Sequence, residues 1–408
     1  MKLFLLTTLL TSAYAHLACP SGFTLVLDEC LKIIPNPLTH TQAEVDCTYL
    51  GGTLVNVHSA IKNRAVSEFA SKSRLNKIWL GLFCFSNQNS SSCYHDDNSG
   101  TASVYNNFAP GYPLINGIYG GCVYMSTEGS LAGKWVSVEC EAESMPFVCE
   151  VPSTHYDPTC THNYGGYCYY PSTELNTTFA TFPNAQSICQ QEFNGNLASI
   201  HSKRENDYVI SLFRGNIDAE YVLLGAQDLL PNTFSWIDGS NYAAFDYRDP
   251  LDPGTADCLG MEMGTGLWKR VGCTARIVFL CKRSISKTVT STPKTHLVTS
   301  NPSDFSNCNT TFLMAPGVIT SYGYLSTTPS TTFCTWKIVT LGAYRIRLSF
   351  VDYSSPDPVY LYDEYGREIT YVVSSNRAVV SPTNIMNVTF QDRGIAGFRG
   401  FKAVAQPY

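Results

Sequence analysis

LWKRVGC, residues 267–273, decides how this chain is read, because KWVSVEC at 134–140 repeats its frame: a tryptophan five residues before a cysteine, twice. Working outward, CTYLGGTLVNVHS (47–59) answers CQQEFNGNLASIHS (189–202), and FVC ending at Cys149 answers FLC ending at Cys281. Upstream, Cys19 and Cys30 answer Cys160 and Cys168. Six cysteines therefore recur in one order, and Cys84 and Cys93 are extra to the first copy. Each copy is about 130 residues long, the size of one domain and too long for a solenoid unit.

Within a copy the patterning is mixed. Phe182–Phe193 carries apolar residues at helical spacing and stops before Gly195. Ser202-Lys-Arg-Glu205 then reads as a capping box that opens a second helix through Val209, Ile210, Leu212 and Phe213. The glycine-rich, aromatic second half reads as short strands and long loops, so each copy is expected to be an α+β domain. Residues 284–306 are rich in Ser, Thr and Pro and read as a solvated, O-glycosylated linker. The last hundred residues alternate β-branched and aromatic residues with turn formers, which predicts an all-β sandwich. Cys308 and Cys334 are the only cysteines there and pair with each other if all sixteen are used internally.

The chain opens MKLFLLTTLLTSAYA, an apolar run closed by a small-x-small site, so residues 1–15 are expected to be a removed secretory signal. No later segment is long and apolar enough to span a bilayer, and the C-terminus lacks a lipid-anchor tail, so a secreted, extracellular product is expected. A net charge of −6 gives no broad attraction to nucleic acid or to anionic membrane. Sixteen cysteines without a CxxC imply disulfides rather than metal thiolates. Asn89, Asn176, Asn309 and Asn387 stand in N-glycosylation triplets.

Both copies resemble C-type lectin-like domains. The resemblance is carried by the N-terminal cysteine pair, the helix-borne Cys47 or Cys189, the segments IWLGL (78–82) and VLLGA (222–226), the tryptophan–cysteine frame and the closing F-x-C. It implies the pairs Cys19–Cys30, Cys47–Cys149 and Cys122–Cys140, then Cys160–Cys168, Cys189–Cys281 and Cys258–Cys273, with Cys84–Cys93 as an extra bridge. The C-terminal segment resembles a CUB domain through Gly317–Ser321, Cys334-Thr-Trp, Asp357–Asp363 and Gly397-Phe398, although that family's second cysteine pair is missing. The expected organisation is a signal peptide at 1–15, lectin-like domains at 16–151 and 156–283, the linker at 284–306 and a CUB domain at 307–408. Such an architecture resembles that of secreted nematode lectin-like proteins.

In sugar-binding members of the lectin family, calcium is held by a Glu-Pro-Asn or Gln-Pro-Asp tripeptide, a further acid and an Asn-Asp pair after the tryptophan. A hard cation needs six to eight oxygens, and the same groups bond vicinal sugar hydroxyls. In the first copy these places fall on Tyr112-Pro113-Leu114, Gly120 and Val136-Ser137, which supply almost no ligands. In the second they fall on Asp249-Pro250-Leu251, on Ala256 beside Asp257, and on Lys269-Arg270 after Trp268. Cations there repel a metal. One reading pairs Lys269 or Arg270 with Asp249 or Asp252 and leaves a calcium-free face for an acidic ligand. The other makes them an exposed salt bridge of little energetic consequence. The CUB resemblance adds Asp352, Asp357 and Asp392 as calcium candidates, and no other cofactor is expected.

Trp135 and Trp268 are expected in cores. Tyr105, Phe108, Tyr112 and Tyr119, with Tyr242, Phe245 and Tyr247, suit either core packing or sugar stacking. No nucleophile or metallohydrolase motif occurs, and the repeated His58-Ser and His201-Ser read as turns or caps, so no enzyme is expected. The sequence thus implies a secreted recognition protein for carbohydrate or glycoprotein ligands in innate defence, with a protein-interaction or matrix module as the alternative.

Overall fold

The computed structural model describes residues 17–115, 121–215, 219–230, 233–285, 308–328 and 331–408. The expected signal segment lies outside the described residues, as do Tyr119, Gly120 and all of the 284–306 linker after its first two residues. The first repeat carries helices α1 (His40–Tyr49) and α2 (Ala60–Lys72), and the second carries α3 (Phe182–Phe193) and α4 (Lys203–Phe213). Each pair leads into one sheet of the same path. In the first repeat the order is Thr24–Val26, Glu29–Leu38, Met145–Pro152, Lys77–Cys84, Cys122–Ser126 and Trp135–Val138. In the second it is His162–Tyr164, Tyr167–Pro171, Ile277–Ser284, Tyr221–Leu230, Cys258–Glu262 and Trp268–Val271.

Local chemistry explains several repeated residues. The glycine of IWLGL and of VLLGA lets two backbones touch: a Cβ on Gly81 would fall 2.6 Å from Leu54 O, and one on Gly225 2.4 Å from Leu197 O. Ser59 and Ser202 cap α2 and α4 by accepting from the N–H three residues on, at 3.2 and 3.1 Å. The expected capping box is only half made. Glu205 reaches past its own cap to accept from His201 N at 2.8 Å, because its other oxygen is held by Lys282 Nζ at 2.5 Å and Tyr169 Oη at 2.8 Å.

That Glu205–Lys282 pair has a mirror in the first repeat, where Lys62 on the helix meets Glu150 on the strand at 2.9 Å. Position for position the charges are exchanged: the helix residue three after the cap serine meets the strand residue after the closing cysteine. One place further along each helix, Asn63 accepts from Trp135 Nε1 at 2.7 Å and Asn206 from Trp268 Nε1 at 2.8 Å. Both asparagines then donate to a glycine carbonyl, Gly133 O or Gly266 O, at 3.0 Å. The repeated tryptophans, both 0% exposed, therefore tie the last strand to the second helix.

All sixteen cysteines close eight disulfides: Cys19–Cys30, Cys47–Cys149, Cys84–Cys93, Cys122–Cys140, Cys160–Cys168, Cys189–Cys281, Cys258–Cys273 and Cys308–Cys334. The two longest loops are closed by bridges that pin α1 and α3 to the strands Met145–Pro152 and Ile277–Ser284.

The C-terminal unit is a two-sheet β-sandwich. One sheet orders Thr310–Met314, Thr331–Val339, Ile385–Arg393, Val359–Tyr362 and Glu368–Val372; the other orders Gly317–Thr320, Gly400–Pro407, Ile346–Ser354 and Arg377–Val380. Trp336, Phe350, Phe390 and Phe401 fill the space between them.

The three units share surfaces. Tyr208 of α4 lies over Gly51, where a Cβ would stand 2.7 Å from its ring and where φ is +77°. Arg214 lies 4.0 Å over the Tyr49 ring. From the sandwich, Leu341 packs into the core formed by Ala43, Cys47, Trp79 and Phe147. Tyr344 Oη donates to Asp207 of α4.

Candidate functional site

The described positions that correspond to the lectin calcium frame lie in the loop before the last strand of each sheet path and on that strand, Trp135–Val138 or Trp268–Val271, and several of them are engaged in other contacts. In the first repeat Ser137 is 2% exposed. Its hydroxyl accepts from Leu114 N at 2.7 Å and donates to Leu114 O at 2.9 Å, so its lone pairs and its proton serve the backbone. Val136 beside it is apolar and buried.

In the second repeat neither cation pairs with Asp249 or Asp252 through its side chain, which corrects that expectation. Lys269 Nζ reaches Glu262 Oε1 at 2.6 Å on the neighbouring strand, and Arg270 Nη1 reaches Asp228 Oδ2 at 3.0 Å and Ala256 O at 2.8 Å. Strand alternation decides this, because successive side chains leave opposite faces. Asp252 is spent on backbone: it accepts from Arg270 N at 2.7 Å and Gly254 N at 3.0 Å. The Arg270 pair is largely buried, with side chains 12% and 6% exposed, so it is not the exposed bridge that the other reading expected.

Asp249 belongs to an interface. Arg347 of the sandwich holds it with two contacts, at 2.9 and 3.3 Å. Around it Gln406 Nε2 donates to Arg248 O at 2.9 Å, and Tyr247 Oη donates to Pro407 O. The segment Tyr247–Asp249 of the second repeat thus meets strand ends of the C-terminal unit.

The aromatic candidates are packed. Tyr105 and Phe108 meet Trp135 edge-on at 5.7 and 5.4 Å, and Phe245 and Tyr247 meet Trp268 at 5.5 and 6.3 Å. Tyr242 stands 6.2 Å from the same ring, while Tyr112 is half-buried. In the sandwich, Asp352, Asp357 and Asp392 do not converge. Asp357 accepts from Arg393 N at 3.0 Å and pairs with its guanidinium, Asp352 accepts from Tyr324 Oη at 2.8 Å, and Asp392 turns back onto Gly394 N at 2.8 Å. Of the glycosylation candidates, Asn89, Asn176 and Asn309 are exposed, and half-buried Asn387 donates to Asp363 O at 2.9 Å.

A family model described as the lectin C-type domain matches residues 36–151 and 178–283, more than half of the chain. The chain belongs to the C-type lectin domain family. It is 35% identical over 286 residues to C-type lectin domain-containing protein 38 of Caenorhabditis elegans, covering 68% of this chain and 71% of that one. It is 27% identical over 271 residues to human lymphocyte antigen 75, covering 61% of this chain and 15% of that protein. The structure of human lithostathine matches with a TM-score of 0.29 at 28% identity, over 31% of this chain and 99% of that one.

In this lectin-domain chain the paired histidines do have acidic neighbours, which the sequence reading missed. His58 Nε2 lies 2.9 Å from Asp97 Oδ2, and His201 Nε2 lies 3.0 Å from Ser199 Oγ, which donates to Asp238 Oδ2 at 2.5 Å. The aspartates stand at equivalent places, in HDDNS (95–99) and WIDGS (236–240), far along the chain from the histidines. Each also accepts from the serine N–H two residues on, at 2.9 Å, which fixes the turn. Because Ser199 gives its proton to a carboxylate, His201 donates to it rather than activating it. At 1% exposure, Ser199 is also out of a substrate's reach. No helix among the described residues is long and apolar enough to cross a membrane.

Proposed function

We propose that this chain is a secreted, non-enzymatic recognition protein that binds carbohydrate or microbial-surface ligands in innate defence without the calcium-held sugar site of its family, and that its C-terminal sandwich is a CUB domain. The observation that carries the reading is the use of the calcium frame for other contacts in both repeats: Ser137 on Leu114, Arg270 on Asp228 and Asp249 on Arg347. Oxygens already engaged by backbone donors and guanidinium groups are poor partners for a hard cation that needs six or more. The eight disulfides support an oxidising compartment. The two-sheet sandwich closed by Cys308–Cys334 supports the CUB assignment.

One observation favours a second reading, a protein-interaction or matrix module: Arg248 and Asp249 of the second repeat already contact protein, with the sandwich as their partner. Binding of the glycosylated chain to arrays of glycans and microbial polysaccharides, with calcium and with chelator, separates the two. Binding that survives chelation is the expected result. Binding abolished by chelator overturns the calcium-independent reading, and silence under both conditions transfers the proposal to a protein ligand.

A further inference from the structure

The first repeat buries three ionisable side chains at positions where its twin has none. Counting back from Cys47 and Cys189, His40 and Glu44 stand where the second repeat has Phe182 and Gln186, and Asp96 of HDDNS stands where it has Ile237 of WIDGS. The backbone confirms the equivalence, since His40 N and Phe182 N donate to Cys140 O and Cys273 O, each at 3.0 Å. His40, Glu44 and Asp96 are 2%, 6% and 2% exposed. One nitrogen or oxygen from each lies within 4.8 Å of the others, the only such group among the described residues.

Their hydrogen bonds leave the centre of the cluster short of positive charge. His40 Nε2 lies 3.0 Å from Leu80 O, which only accepts, so Nε2 carries the proton and Nδ1 the lone pair. That Nδ1 faces Glu44 Oε1 at 3.6 Å, acceptor against acceptor. Asp96 Oδ1 accepts from Gly342 N at 3.3 Å, while the buried Oδ2 meets no donor other than the neighbouring Glu44 carboxyl, with which Asp96 shares a hydrogen bond. Two carboxylates side by side in a dry place are costly unless a cation compensates them. Arg345 and Arg204 add positive potential from the surroundings of Glu44 and Asp96.

We propose that His40 Nδ1, Glu44 and Asp96 bind one divalent cation of the zinc class, which pins the C-terminal sandwich to the first repeat. An imidazole with two carboxylates is a borderline-soft donor set suited to zinc, and three protein donors are too few for calcium. Anchoring one imidazole nitrogen on a backbone carbonyl is how metal-binding histidines are oriented. Two tetrahedral ligands about 2.1 Å from a shared ion stand about 3.4 Å apart, so the His40–Glu44 pair needs to close by only ~0.2 Å. Two carboxylates and a neutral imidazole balance a double positive charge. The ion acts on domain packing because Gly342 N bonds to Asp96 and its neighbour Leu341 is seated in the first repeat's core.

The test uses the full glycosylated chain, stripped with chelator and held in excess calcium to mask weak sites. After equilibration with zinc, elemental analysis should find a single bound zinc, and zinc should raise the thermal midpoint. Cobalt should give d–d absorption that zinc abolishes. Glu44→Gln should weaken zinc binding at least about tenfold and remove the thermal response. The proposal is overturned if the wild-type chain takes up no more zinc than Glu44→Gln, or if Glu44→Gln is as stable as wild type with or without zinc. In that case the carboxyls share a proton, for which the Gln amide substitutes. Should Glu44→Gln fail to fold, cobalt absorption by the wild-type chain decides alone, its absence counting against the site.

Discussion

Replacing Glu205 by Gln isolates what the buried pair of the second repeat does for the fold. The Glu205 carboxylate is surrounded by Lys282 Nζ at 2.5 Å, Tyr169 Oη at 2.8 Å and His201 N at 2.8 Å, and the Lys282 and Glu205 side chains are 4% and 10% exposed. Removing its charge leaves Lys282 Nζ with Ser199 O, at 2.8 Å, and the face of the Tyr167 ring, 4.1 Å away, and with no anion. An uncompensated buried ammonium costs about 3–5 kcal/mol. For a domain of this size that is a fall of roughly 10–20 °C in melting temperature. Lys282→Met alone should cost a similar amount, since the carboxylate is then the orphan. The double variant Glu205→Gln/Lys282→Met leaves no bare charge and should be more stable than the sum of the single losses implies, by at least about 2 kcal/mol. The exchange Glu205→Lys/Lys282→Glu copies the polarity that Lys62 and Glu150 use in the first repeat. It should recover the Coulomb attraction but not the Tyr169 and His201 hydrogen bonds, and so fall between the single variants and wild type. Thermal and denaturant unfolding of wild type and the four variants is the assay. Additive single losses, with coupling below about 0.5 kcal/mol, would refute the pairing as a source of stability.

The same pair sets a pH dependence. Burial pushes Glu205 up, but Lys282 and the N–H of His201 outweigh it and hold the carboxyl below its usual 4.5. A depressed folded-state value means its contribution is complete above the unfolded value and is lost as pH falls below about 4.5. The acid limb of the unfolding curve should therefore flatten in Glu205→Gln. Asn206→Ala removes the acceptor of the Trp268 indole and should cost about 1–3 kcal/mol, with a matching change in tryptophan fluorescence on unfolding. Gly51→Ala places a methyl against Tyr208 at positive φ, and should loosen the contact between repeats, seen as faster proteolysis between residues 151 and 160. Arg347→Ala leaves Asp249 without its guanidinium and should weaken docking of the sandwich by about 1–3 kcal/mol, measured by small-angle scattering; an unchanged envelope would show that Leu341 and Tyr344 suffice.

Much of the scaffold was legible because it is written in local terms. The α3 boundaries follow from apolar spacing, the cap at Ser202 from its helix-start pattern, and the two-repeat organisation from cysteine order. The partners of Lys269, Arg270 and Asp249 were not legible. Nothing near Arg270 in the sequence points to Asp228, and nothing near Asp249 points to Arg347, 98 residues away. The exchanged Lys62–Glu150 and Glu205–Lys282 pairs were visible only as unrelated charges until helix and strand were laid together. The signal that would have exposed them was the match of Ser59-x-x-Lys62 to Ser202-x-x-Glu205 beside Cys149-Glu150 and Cys281-Lys282.

By itself, then, the sequence determined which elements form, that they form twice, and which residue types stand at the frame positions. These properties depend on neighbours a few residues apart and on residue chemistry at fixed frame positions. Tertiary structure alone decided which charges meet, that the sandwich engages Asp249 of the second repeat, and that His40, Glu44 and Asp96 share one buried space. The physical reason is that a partner is selected by the surfaces that docking brings together. Those surfaces come from units tens to hundreds of residues apart, whose relative placement no local periodicity encodes.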